Sequence, residues 1–147
     1  MSSSILTPIN SLLANAISSL AVTPSVRAYA TDPGLAGIDQ LPAAVCGLPT
    51  IQRTEPDQAE SQLGTYDWNL QIPVVFLFDL GDTATAQTEA LDVVEAFIRL
   101  IDTGTLSVSD PLIVDAKVTS SQPGEVVDNA RPLLTYDCSV HILRYSN

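Results

Sequence analysis

Between Tyr66 and Phe78 the chain alternates. Tyr66, Trp68, Leu70, Ile72, Val74, Phe76 and Phe78 share one parity, and Asp67, Asn69, Gln71 and Pro73 share the other. Side chains on a strand point to alternate faces, so the pattern predicts one long strand with an apolar and a polar face. Pro73 cannot donate to a ladder, which suggests an edge position or a bulge there. Beyond it the second parity turns apolar too, at Val75 and Leu77. The far half of the strand should therefore be covered on both sides, by a helix, another sheet or a neighbouring subunit.

Two stretches carry the helical period instead. Ile9, Leu12, Leu13, Ala16, Ile17 and Leu20 form one stripe behind Thr7-Pro8, a threonine cap with proline at the first helical position. This predicts a helix over roughly 8–21, ended before Pro24. A second helix is predicted over about 83–102, with Ala90, Leu91, Val94, Phe97, Ile98 and Ile101 as its buried stripe. Gly104 stands where a C-terminal cap belongs.

The remaining segments are shorter or more mixed. "VRAYA" looks like a strand, "TDPGLAGIDQLPA" is turn-rich, and "AVCGLPTIQR" is a strand broken by Gly47 and Pro49. The polar, acidic stretch 54–64 reads as an exposed loop. "PLIVDAKVT" and "RPLLTYDCSVHILRY" read as two strands of an antiparallel hairpin, joined by the turn-forming "SSQPGEVVDNA". The element order implies an α+β fold, a mostly antiparallel four- to five-stranded sheet with two helices packed on one face. A chain of 147 residues with 46% hydrophobic residues supplies one core, so 1–147 is expected to be a single domain.

Charge narrows the function classes. Six Lys and Arg against seventeen Asp and Glu give −11, and the six positives are spread singly. A nucleic-acid reader needs a clustered basic footprint, which this sequence lacks. The N-terminal "MSSSILTPINSLLANAISSL" has no basic residue before Arg27, so it does not resemble a secretory leader. No run approaches the roughly 18 apolar residues of a membrane span. The chain is expected to be soluble and intracellular when made.

The two cysteines, Cys46 and Cys138, make no disulfide framework, although one bridge between them is possible. Cys138 lies three residues from the chain's single histidine, His141. On a strand that spacing puts them on opposite faces, Cys138 with the apolar parity and His141 with the polar one, possible at an interface. A joint metal site or Cys–His pair is thereby disfavoured. "VVFLFDLGDT" is similar to the nucleophile loop of haloacid-dehalogenase-type phosphotransferases, but that loop needs aspartates two apart. Asp79 and Asp82 are three apart, and no basic residue lies between Arg53 and Arg99 to steady a phosphate. A strand-to-helix turn capped by Asp82 or Thr83 accounts for the same residues. Triad, zinc, calcium and phosphate-loop templates also fail, so catalytic, metal and cofactor sites are expected to be absent.

The leading helix, the polar middle, "TYDWNLQIPVVFLF", "ALDVVEAFIRLID" and the terminal "LLTYDCSVHILRY" together resemble the tail-terminator (tail-completion) proteins of long-tailed bacteriophages. The resemblance lies in element order over nearly the full length and in no signature motif. It implies a virion structural protein made in the host cytoplasm, whose six-membered ring caps the tail tube, stops its elongation and joins tail to head. The implied partners are further copies of itself, the tail tube protein and a head-completion or connector protein. DNA would pass through without sequence-specific binding, and no membrane is involved. Another neck subunit, a head-completion or head–tail connector protein, is the alternative. On either, Val75, Leu77 and His141 are the candidate subunit-interface residues.

Overall fold

The computed structural model describes residues 6–22, 25–54, 67–128 and 131–145. In chain order these form α1 (Leu6–Ser18), β1 (Arg27–Tyr29), a 3-10 turn (Leu35–Gly37), β2 (Ala43–Cys46), β3 (Thr50–Thr54) and β4 (Asp67–Asp79). Then follow α2 (Thr83–Asp102), α3 (Thr105–Ser109), β5 (Ile113–Asp128) and β6 (Arg131–Arg144). The sheet runs β1-β2-β4-β6-β5, with β3 paired to the same side of β4 as β2. Among the described strands only β1–β2 is parallel. The fold is α+β as expected, with six strands where four or five were anticipated. Tyr66 and residues 55–64 of the acidic stretch lie outside the described residues.

Pro73 occupies neither an edge nor a bulge. β4 is central, and its pairing with β6 runs without a shift from Trp68 to Asp79. β2 covers residues 74–77 of β4 and β3 covers residues 67–71, so Pro73 falls at the junction between them. There its carbonyl still accepts from Gly47 N at 2.7 Å. A residue's N–H and C=O point to the same side of an antiparallel strand, so the missing donor faces the gap between two strands. Gly47 is required at this spot, because a Cβ would lie 2.8 Å from Pro73 Cγ.

The predicted apolar parity of β4 makes the core. Leu70, Ile72, Val74, Phe76 and Phe78 are fully buried and meet Ile9, Leu13 and Ile17 of α1 and Ala90, Phe97 and Ile101 of α2. Phe76 and Phe97 pack edge to face with centroids 5.0 Å apart. All three helices contribute to this one layer. Asn10 ties α1 to the strand ends, its amide donating to Ala30 O at 3.2 Å and Gly47 O at 3.0 Å. Pro8 sits in the first turn of α1, where no helical N–H is needed, although the helix begins before the expected threonine cap.

α2 has the expected span and ends. Asp82 is its N-cap, and Gly104, in the left-handed conformation at φ 82°, follows its C-cap residue Thr103. The same glycine opens α3, which the sequence pattern did not reveal. The buried stripe is Ala86, Ala90, Val93, Val94, Phe97 and Ile101. Leu91, expected within it, is 59% exposed. At 100° per residue it points about 100° away from Ala90, off the edge of the stripe. Leu91→Lys should therefore change stability by no more than about 0.5 kcal/mol in urea unfolding of the isolated subunit.

The last hairpin departs furthest from expectation. "SSQPGEVVD" is not a turn: β5 runs through it, pairing to Asp128↔Arg131. Pro123 opposes Tyr136, which β5 tolerates because, among the described residues, it is an edge strand paired only with β6. Gly124 lies against Thr135, where a Cβ would sit 3.0 Å from Oγ1.

Candidate functional site

On the face of the sheet away from the helices, the apolar end is covered from within. Ile38, Ala43, Val45, Leu77 and Leu133 form a second small core, with Tyr29, Leu41 and Val75 packed on it. Leu77 is 4% exposed. The segment after β1 thus supplies the second cover that the double apolar parity demanded. It leaves a groove of about 460 Å³ beside it, whose floor includes Val75 and Leu77 and whose rim carries Asp32, Glu125 and Asp137.

His141 belongs to the other, polar end of that face. It pairs in register with Gln71, whereas Val75 pairs with Asp137. Four residues along a strand separate them by about 13 Å. The structure therefore brings Val75 and Leu77 together and sets His141 apart. Its Nε2 meets Asn69 Oδ1 at 2.5 Å, and Ser139 Oγ donates to Gln71 Oε1 at 2.6 Å. His141 Nδ1 is buried with no partner among the described residues.

Cys138 faces the helices, as its parity required, with Ser121 Oγ at 3.4 Å from Sγ. Both cysteines are free and buried. Burial pushes the Cys46 thiol up to about 12, and burial also raises that of Cys138. Thiolate is the reactive form, so a maleimide at neutral pH should label neither cysteine in the native chain and both after denaturation, readable by intact mass.

The Asp79–Asp82 turn spends its carboxylates on its own backbone. Asp79 Oδ1 accepts from Gly81 N at 3.0 Å, and Asp82 accepts from Thr85 Oγ1 at 2.9 Å and Thr85 N at 3.4 Å. The shallow hollow beside them also holds Glu89, whose carboxyl is raised by burial and by Asp79. Three acids with no cation among the hollow's residues repel a phosphate. The hydrogen bonds from Thr85 hold the Asp82 carboxyl below its ordinary 3.8. A depressed acid stabilises the fold above its unfolded value and loses that effect as pH falls through its folded one. Asp82→Ala should accordingly lower Tm at neutral pH, and the difference from the parent chain should close below about pH 3.8. Among the described residues no three His, Cys, Asp or Glu side chains converge as a metal site. No described helix is long and apolar enough to cross a membrane.

What the surface offers instead lies along the sheet edges. Val127 and Val114 of β5 are 68% and 47% exposed, and Leu48, between β2 and β3 on the opposite side, is 89% exposed. Leu91 lies on a hollow shared with Pro123, Leu134 and Tyr136, next to the same β5 edge. The continuation of β5 through "SSQPGEVVD", hidden by Pro123 and Gly124, is what places these residues on an edge.

No model of a known protein family matches the chain, and no curated protein matches it in sequence. Among solved structures, a chain of a particle described as "Virion of native gene transfer agent (GTA) particle" is similar to it. The TM-score is 0.59 at 14% identity, over 98% of this chain and 100% of that one. The fold is thus similar to that of a virion protein, from end to end of both chains.

Proposed function

We propose that this chain is a virion structural protein, one domain over its whole length, whose copies form a ring of six that caps a phage tail tube. The ring ends tube elongation and joins the tail to the head. The observation that carries this is the end-to-end fold likeness to a chain of a gene-transfer-agent virion, which needs no inserted or missing domain. The physical chemistry agrees with it. A subunit of net charge −11 gives a channel that repels DNA and lets it pass without gripping. Capping is geometric: one face of the ring matches the tube, and the other does not template a further tube ring. Val75 in the groove and His141 at the polar end of the same face are proposed contact positions, with Leu77 supporting the groove floor from beneath.

Co-sedimentation with separated particles tests the assignment. The tagged protein should remain with tails assembled without it and mature them for joining to heads. Retention on filled heads but not on tails would make it another neck subunit, and retention on neither would overturn the virion assignment.

A further inference from the structure

We infer that the groove on the face away from the helices seats a segment of another protein, one carrying an apolar side chain beside a lysine or arginine. This deepens the proposed function and rests on it for the source of the segment, an adjoining protein of the virion. The strand registers put the groove floor on one face. Val45 pairs with Val75, Val75 with Asp137, and Leu77 with Thr135, while on β5 Gly124 pairs with Thr135 and Val126 with Leu133. Residues directly opposite in a ladder point to the same side, so the floor crosses four strands. The segment after β1 adds Asp32, Leu35 and Ile38 to the lining. Leu35 and Val126 remain 39% and 37% exposed. Gly124 adds no side chain to the floor, a frequent mark of a strand that another group approaches closely. At about 460 Å³ the groove has the size of a small binding pocket.

Charge selects the occupant. Asp137 rises from the floor, Asp32 lines the wall, and no lining residue is a cation. Glu125 also lines the groove, but it pairs with Leu134, whose side chain belongs to the main core. Its carboxylate therefore points to the helix side. Asp32 is tied in place by Gly34 N, which donates to Oδ1 at 2.8 Å. Among the described residues neither Asp32 nor Asp137 has an ion-pair partner. An apolar floor beside two such acids favours an apolar side chain with a cation close by and rejects an acidic one. This chain itself offers a poor occupant. The stretches outside the described residues, 1–5, 23–24, 55–66, 129–130 and 146–147, contain no lysine or arginine. A second copy brings −11 toward the acids, and four of its six cations are already engaged. Arg27 lies over Tyr29 and Arg53 over Trp68, while Arg99 pairs with Glu95 and Arg144 with Asp110.

The probe is a dansyl-labelled peptide of leucine, leucine, arginine and leucine with a blocked C-terminus, beside a counterpart with glutamate for arginine. Fluorescence anisotropy with the full-length chain should show saturable binding of the arginine peptide, at least about tenfold tighter than of the glutamate one. Asp32→Asn with Asp137→Asn should weaken that binding roughly three- to tenfold, as expected for exposed ion pairs. Leu35→Ala with Val126→Thr should weaken it too, and thermal melts check that each variant is folded. Asp92→Asn with Asp102→Asn, both exposed on α2, removes the same charge elsewhere and should leave the affinity within about twofold. Equal binding of both peptides, or an equal loss from the α2 pair, would overturn the inference. So would the absence of saturable binding. Native mass is recorded on the same samples, and a peptide that dissolves assemblies of the parent chain would put a second copy in the groove and overturn it as well. A parent chain that binds no peptide yet stays with tails would leave the virion assignment standing. Peptide binding by a chain that stays with neither tails nor heads would uphold the groove and remove the virion as its source.

Discussion

Phe97→Ala should cost about 3–5 kcal/mol, the usual loss for a buried aromatic truncated to alanine. Phe97 has no exposed surface, stacks edge to face on Phe76 and joins α2 to the centre of β4. Domains of this size are stable by roughly 5–15 kcal/mol, so the variant would forfeit a large share of the total. Urea unfolding should show the midpoint falling with little change in slope, and Tm should drop by roughly 6–20 °C. Phe97→Leu, which keeps most of the apolar volume, should recover more than half of the loss. A Phe97→Ala variant as stable as the parent would mean that α2 does not pack where the structure puts it.

The second large effect belongs to Arg144. Its Nε donates to Asp110 Oδ2 at 2.8 Å, with the two side chains only 13% and 17% exposed. Asp110 caps the end of α3 and also accepts from Leu112 N at 3.1 Å, so the pair pins the turn before β5 to the end of β6. Arg144→Met keeps the stem but leaves a mostly buried carboxylate without its cation. The expected cost is about 2–4 kcal/mol, less than for a fully buried pair because Asp110 keeps one N–H. Adding Asp110→Asn to Arg144→Met should return part of that cost, since no charge is then stranded. The exposed pair Arg99–Glu95, at 3.6 Å and more than 70% exposed on both sides, should by contrast be worth little. Denaturant midpoints of the parent chain, Arg144→Met, Asp110→Asn and the double variant at one pH measure the coupling directly.

Much of this architecture is legible in the sequence because periodicity is a local signal. The β4 alternation, the α2 span with Asp82 and Gly104 at its ends, and the opposite faces of Cys138 and His141 all follow from side-chain geometry. The errors arose where tertiary position overrides local chemistry. Pro73 signals an edge only if the strands beside it are continuous, and here two short strands leave it a gap. Pro123 and Gly124 signal a turn unless the strand is itself an edge, which residue order alone does not fix. Leu91 is apolar for reasons other than the core.

The interface candidates divide on the same principle. Val75 and Leu77 announced a second cover, and the structure supplies one from the chain itself, the segment around Ile38 and Leu41. That cover is turn-rich and has no period, so its place over β4 could not be read in advance. His141 stayed on the polar face as its parity required, yet its tie to Asn69 depends on the β4–β6 register. The exposed edge residues carried no sequence signal, because an exposed valine and a buried one are written alike.

The most direct measurement is the length of tail tubes assembled from purified tube protein with and without this chain, imaged together with a tagged form of the protein. The proposed function predicts that added protein stops elongation and that the tag marks a single ring at one end of each tube. Tubes that grow unchanged, with no tag at either end, would contradict it.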